Sequence, residues 1–409
     1  IYTLATPNYF DKYSLVSKVI SGPGIPSPMT WSYAGSTGNI PLWNGTAPPC
    51  GSCPQTRTTV VTQPDGTELR ESYGIVFGLN EGKLLGRQIR SSSGQVLRDE
   101  SHVYMTAAEA AAQPFPDRYG SLYGGNDSSR THIRPLRQRT IVQQGTEFSW
   151  QGNSFDVFAR PLSVAKSSTL PGSPSRTEVT AYHDNLSSWV LGQPSRLTVN
   201  GTIASETSYN ASALPTVFKQ FGRTVQTLAY NSNGTVASVK DGNNNLTTLS
   251  NWKRGIPQTI KYPATPEAPS GATQSAVVND SGWITRVTDE NGFQHNYQYD
   301  PMGRLSQTSY PTGDSVAWNA TTFTLTKAGS SAYGIPAGHW QHTVATGNGR
   351  KVTYLDALWR PVLVREYDTA NASATQRFTK QAFDHAGRVI FTSYPSSSGT
   401  PATGTWTDY

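Results

Sequence analysis

Apolar and polar residues alternate in short runs along most of the chain, and turn-forming residues separate the runs. The clearest stretch is Gly292–Pro311, GFQHNYQYDPMGRLSQTSYP. Tyr297 and Tyr299 alternate with Asn296 and Gln298, the period-two pattern of a half-buried strand. Asp300, Pro301 and Gly303 then predict a tight turn, because proline presets φ at a central position and glycine accepts positive φ at no steric cost. Arg304 and Leu305 open a return strand. Tyr310-Pro311 closes it, since proline cannot donate a ladder hydrogen bond. Thr30–Tyr33, Arg57–Thr62 and Leu69–Phe77 read as further strands, the last two joined by a turn at Pro64–Thr67. Thr106–Ala112 is the only helix signal: Thr106 can cap it, Glu109 completes a capping box and Pro114 ends it. Ser163–Ser175 reads as a linker and Pro263–Gln274 as a loop insertion.

The hairpin recurs. Phe383–Pro395, FDHAGRVIFTSYP, repeats the aromatic, the aspartate, Gly-Arg, the aliphatic residue and the Tyr-Pro that falls seven residues after the glycine. Arg254–Pro263, Tyr354–Arg360 and Phe218–Arg223 are partial copies, with Trp359 where glycine stands elsewhere. Ala229–Gly242 resembles Val278–Gly292, each with an aspartate, Asp241 or Asp289, seven residues after its turn glycine. These repeats predict an all-β fold: a long, coiled antiparallel sheet of stacked β-hairpins, with turns at Gly234, Gly282, Gly303 and Gly387 and at most one short helix. Residues 1–195 are expected to form a region preceding the repeats and residues 196–409 the repeats themselves. Tyr297, Tyr299, Leu305, Tyr310, Phe383, Val389 and Tyr394 are expected to pack on neighbouring hairpins. Gly303 and Gly387 should hold the turns. Asp300 with Arg304, and Asp384 with Arg388, should brace them through acid–base contacts between neighbouring hairpins. A residue type that recurs marks a structural role, since a catalytic set is needed once.

Composition supports a thin sheet. Hydrophobic residues make up 35% of the chain, below the roughly 45–50% of an ordinary domain, and aromatics are abundant, so aromatic and Thr/Ser side chains are left to cover the faces. The net charge of +6 is mild at this length and implies no specific nucleic-acid partner. The basic cluster Arg130–Arg139 reads as a solvated strand face. No apolar run reaches the roughly 20 residues of a membrane helix. The chain begins at Ile1 and stops at Thr407–Tyr409, where another turn would start, so a longer parent is expected. Cys50 and Cys53 stand in PCGSCP. No His or Cys nearby completes a zinc site and no βαβ pattern supports a redox pair, so a short disulfide in an exported protein is expected.

Little in the chain points to catalysis. Ser163 and Lys166 match S-x-x-K, but without its partner motifs and in a linker-like stretch. His339 and His342 are three apart, which in a strand sends them to opposite faces. Asp241–Asn245 and Thr288–Gly292 are oxygen-rich, yet their spacing suits turns better than calcium loops. No cofactor and no metal are expected, and the chain is read as a non-enzyme.

The residues Gly292, Tyr297, Tyr299, Asp300, Gly303, Arg304 and Leu305 resemble the signature of the RHS/YD-repeat family, roughly G-x-x-x-x-Y-x-Y-D-x-x-G-R-L. Val61–Gly74 and Leu79–Leu85 also resemble the pre-repeat part of bacterial members. The resemblance implies a β-sheet coiled into a hollow shell, as in toxin-carrying RHS proteins, the toxin-complex cocoon and the teneurins. It further implies a secreted or cell-surface location and a role in enclosing and helping to deliver a C-terminal effector domain of the parent chain. A cell-surface adhesin or carbohydrate-binding module, in which exposed Tyr and Trp stack on cell-surface glycan, is the alternative. Unpaired strand edges are expected to allow self-association.

Overall fold

The structure is a computed structural model that describes residues 14–35, 54–76, 79–80, 82–118, 132–313 and 315–409. Cys50 and Cys53 lie outside these residues, as does the start of the Arg130–Arg139 cluster. The described residues form twenty-eight strands, with the short helix Ala107–Ala111, a 3-10 turn Thr369–Asn371 and one further helical turn, Ala372–Thr375. The alternation seen in the sequence is the cause. Gln294–Tyr299 turns His295, Tyr297 and Tyr299 to its more covered side and leaves Gln294, Asn296 and Gln298 exposed.

Two compact units divide the chain. One comprises residues 1–21 and 27–176, the other residues 22–26 and 177–409. In the first, nine strands from Ser17–Ile20 to Pro161–Ser168 pair antiparallel, each with the next in sequence. In the second, the strands from Arg176–Asn185 to Gly404–Trp406 pair in the same consecutive order. Position 195 lies inside the strand Val190–Val199. The expected linker Ser163–Ser175 is corrected in part: Pro161–Ser168 is a strand, because its Ser, Val and Ala residues supply the ladder with Thr146–Phe155. Only Thr169–Ser175 remains a connection.

Few side chains are fully buried, and the cores sit where an insertion folds back over the sheet. In the first unit, Thr106 caps the helix through the predicted capping box. The helix and the segment after it place Met105, Ala110 and Phe115 against Phe155, with the two phenyl rings edge to face at 6.2 Å. In the second, Ile335 and Tyr333 cover Val352, Tyr354, Leu363 and Phe378. Desolvation, reinforced by Tyr333, pushes the Tyr354 hydroxyl up to about 12. His339 is part of this interior, its ring bonded to the Pro336 carbonyl and the Gln341 amide.

The described part of the basic cluster is only partly a solvated face, with Arg139 exposed. Arg134 is buried and its guanidinium lies 2.7 Å from Asp117, while Arg137 lies 3.1 Å from Glu109. Ser163 and Lys166 sit in register with Ser154 and Trp150 of the neighbouring strand, on opposite faces.

Candidate functional site

Among the described residues one turn is built eleven times. In each, the first residue receives its hydrogen bond from the fourth N–H and gives its own N–H to the fifth carbonyl. The copies are Gln63–Thr67, Ser91–Gln95, Asp156–Arg160, Asn210–Leu214, Asn231–Thr235, Asp241–Asn245, Asn279–Trp283, Asp289–Phe293, Asp300–Arg304, Asp356–Arg360 and Asp384–Arg388. The fourth residue always has positive φ, from +59° at Ala213 to +87° at Gly292. Glycine fills seven of these positions, and Ala159, Ala213, Asn244 and Trp359 fill the others. The first residue explains why Asp or Asn dominates. Asp300 Oδ1 accepts from the N–H groups of Met302 and Arg304, both at 2.9 Å, an Asx turn that satisfies donors the tip would otherwise leave to water.

Where arginine is fifth, the turn gains a clamp. Arg304 Nε lies 2.6 Å from Asp300 Oδ2, and Arg388 Nε 2.6 Å from Asp384 Oδ2. Asp356–Arg360 and Asp156–Arg160 repeat the contact. This corrects the expectation of acid–base contacts between neighbouring hairpins: each closes within its own turn, because the αL fourth residue swings the fifth back over the first. The backbone N–H and guanidinium of Arg304 hold the Asp300 carboxyl below the usual carboxylate range. For Asp384, burial opposes the same effect of Arg388, and the carboxyl still falls.

Eight of the turns are followed by a one-residue bulge. Tyr299 pairs with Leu305 but Gln298 with Gln307, leaving Ser306 extra, and Ile390 is the extra residue after Asp384–Arg388. The same shift follows the turns that begin at Ser91, Asp156, Asn210, Asn231, Asn279 and Asp356. Such bulges increase local twist.

Five of the eleven turns directly follow an aromatic residue (Phe155, Tyr209, Tyr230, Tyr299 and Phe383), and aromatic residues at or near strand ends link neighbouring hairpins. Tyr299 donates its hydroxyl to the Ile284 carbonyl at 2.7 Å, the residue just past the Asn279–Trp283 turn two strands earlier. Tyr230 does the same to Pro215 at 2.7 Å, Tyr209 to Pro194 at 2.8 Å and Tyr409 to Val389 at 3.2 Å. Trp252 Nε1 reaches Val236 at 3.0 Å and Tyr104 reaches Leu84 at 3.0 Å. The fifth residue of the earlier turn completes the contact by covering the ring. Trp283 lies 5.2 Å from Tyr299, Arg360 4.9 Å from Phe383 and Arg388 4.6 Å from Tyr409. Phe383 has no hydroxyl, and there Arg360 also donates to the Asp384 carbonyl at 3.0 Å.

The remaining predicted residues divide. Tyr297 and Leu305 are half-buried, and Tyr310 bonds Thr321 Oγ1 at 2.9 Å with His295 edge-on to its ring. Tyr394 does not pack on a neighbouring hairpin: it is 60% exposed. Phe391 and Ser393 point inward, so alternation turns Tyr394 out. Two expected copies are other turns. Phe221-Gly222 and Arg254-Gly255 each have positive φ at both residues, so they are two-residue hairpin tips of the I′ kind. Asp156–Arg160 was not anticipated, because Ala159 replaces the glycine; its signal is an aromatic-aspartate pair with arginine four residues after the aspartate. The Asp356 turn is the most buried copy. Residues 22–26 lie on it, and the Pro23 carbonyl accepts from Ala357 N–H at 2.9 Å. A Cβ at Gly24 would fall 2.7 Å from Asp356 Cβ, so only glycine permits this approach.

Residues 278–315, which contain three of these turns and the Tyr299 link between the first and the third, match the family model described as RHS Repeat. This segment is an RHS repeat. No curated protein sequence matches the chain. Among solved structures, the chain is similar to the complex titled TcdB2-TccC3-Cdc42, with 11% identity, a TM-score of 0.46, and coverage of 82% of this chain and 17% of that one. It is also similar to the Photorhabdus luminescens Tc holotoxin pore, with 10% identity, a TM-score of 0.34, and coverage of 84% and 22%. The chain therefore spans less than a quarter of each of these two structures. In the RHS repeat, the tyrosine-aspartate pair is thus a joint: aspartate closes one turn and tyrosine ties it to the turn two strands before. No helix among the described residues is long and apolar enough to cross a membrane, and no group of three or more His, Cys, Asp or Glu side chains among them could hold a metal.

Proposed function

We propose that this RHS chain is a non-enzymatic wall segment of an exported bacterial container, which encloses and helps to deliver a C-terminal effector domain of the same polypeptide. The observation that carries this reading is the ladder of linked turns. Each hairpin contributes almost no core of its own: its Asp–Arg contacts close its own turn, and its tyrosine bonds to the hairpin beside it. That is the economy of a wall, whose stability grows from nearest-neighbour contacts as in other repeat architectures. The recurrent Asp, Gly, Arg and Tyr are occupied in this structural work, which supports a role without chemistry of its own. An exported or surface location follows from the container role.

The test is protease protection in the intact polypeptide. Trypsin should leave any domain that follows the repeats uncut until urea melts the wall, and Gly303→Val, which breaks a turn, should expose that domain at lower urea. A following domain that is cut as fast in the folded protein as in the unfolded one would end the container reading.

A further inference from the structure

Trp359 is the largest side chain placed at the αL position of the repeated turn, at φ +63°. A bulky residue there is an outlier, and such conformations persist where the surroundings enforce them and often mark a site of use. Its indole stacks on that of Trp340 at 5.3 Å and 22°, yet Trp359 remains 54% exposed. The pair therefore presents one open indole face backed by a second ring, which fixes its orientation. Lys327 is the direct cross-strand partner of Trp340, so its side chain stands on the same face beside that ring. Lys327 is exposed, and among the described residues it makes no ion pair. Neither indole N–H has a hydrogen-bond partner among the described residues. An aromatic platform is thus rimmed by an ammonium and two N–H groups, all donors.

We propose that Trp359, Trp340 and Lys327 form a binding site for an acidic saccharide. The apolar face of one pyranose ring stacks on Trp359, and its carboxylate meets Lys327. A donor-only rim selects a ligand rich in acceptors, and the ammonium selects a carboxylated sugar over a neutral one. The site does not depend on the container reading, since a wall can carry a surface receptor site with or without cargo behind it.

The test is titration calorimetry of the whole chain with a galacturonate trimer and with a neutral galactose trimer. The acidic trimer should bind and the neutral one more weakly, with the difference shrinking as salt rises. Trp359→Gly installs the residue that seven of the eleven turns carry; it should leave the urea midpoint unchanged or raised and weaken binding by about tenfold or more. Lys327→Gln should abolish the preference for the acidic trimer and keep the residual affinity for the neutral one. Trp359→Asn, which installs the residue that Asn244 supplies at the same turn position, is the second variant if glycine alters folding. Absence of acidic-trimer binding by the native chain overturns the proposal. So does undiminished binding by either Trp359 variant, and so does loss of folding in both, which would make the ring a packing element.

Discussion

Gly303 and Gly387 occupy the same position of the same turn, at φ +80° and +83°, but their surroundings differ. A Cβ at Gly387 meets nothing within 4 Å, whereas at Gly303 it would lie 2.8 Å from Trp283 Cζ2 and 3.1 Å from Cε2. Alanine at either site carries the αL cost of roughly 1–2 kcal/mol, offset by the roughly 0.4–1 kcal/mol gained from a stiffer unfolded chain. Gly387→Ala should therefore destabilise by about 1 kcal/mol. Ala159 and Ala213 hold φ of +60° and +59° in native copies, so the frame itself admits alanine. Gly303→Ala carries the same cost and must also displace an indole that covers Tyr299, and overpacking of this kind adds roughly 1–3 kcal/mol. The expected total is about 2–4 kcal/mol. Urea denaturation of both variants, followed by tryptophan fluorescence, measures the difference, provided the slopes stay equal. Equal shifts for the two alanines, or a larger one for Gly387→Ala, would refute the claim that the fifth residue of one turn packs onto the next.

Tyr299→Phe should cost about 0.5–1.5 kcal/mol, the net worth of the bond to the Ile284 carbonyl, and amide exchange at neighbouring strand positions should accelerate; an unchanged midpoint would deny the hydroxyl its role. Asp356→Ala should destabilise far more than Asp300→Ala, by about 3–5 kcal/mol, because Asp356 is fully buried with Arg360 while the Asp300 pair is solvent-exposed; comparable losses would sink that ranking. Burial first, with Arg139 and Arg87 and against the pull of Glu100, holds the His102 imidazole below its ordinary value. The folded state thus resists the proton that the unfolded state accepts, so this contribution is complete above pH 6.5 and lost as pH falls below it. Melting temperature should drop on acidification through that window, and the drop should diminish in His102→Gln.

The turn was legible because its determinants are local. Asp at the first position, Gly at the fourth and Arg at the fifth act on one another across a single hairpin tip, and Asp300–Arg304 and Asp384–Arg388 show them unaltered. The strands were legible for the same reason, since alternation is a property of consecutive residues. What failed was inference from glycine alone. Gly255 follows Arg254, which itself adopts φ +51°, and no spacing rule records that the residue before a glycine also turns left-handed. Conversely Ala159 hides a true copy. Tyr394 was misassigned because the Tyr-Pro pair looks identical in both repeats, while the bulge and the inward Phe391 and Ser393 decide which way the ring points. The links from Tyr299 to Ile284 and from Trp283 to Tyr299 required the register of two neighbouring strands, and register is not written in either of them.

The form of the signature follows from this division between local and non-local work. Where tyrosine precedes the aspartate directly, as Tyr299 does, it is the last residue of its strand and stands beside the first residue of the strand before it. Aspartate must open the turn, because its carboxylate reaches two N–H groups and the arginine guanidinium together. Glycine serves the turn through its φ and serves the neighbouring hairpin through its missing Cβ, as Gly303 does for Trp283. Where arginine or tryptophan comes fifth, as at Arg360, Arg388 and Trp283, that position looks onto the next aromatic ring. Each residue thus answers to two hairpins at once, and an isolated hairpin would satisfy only half of its contacts. Asn210 opens a turn whose fifth residue is Leu214, with no guanidinium to receive, while Ala159 replaces glycine in a turn that keeps its clamp. The recurrence of the motif along the chain is therefore what a wall built by neighbour-to-neighbour joints requires.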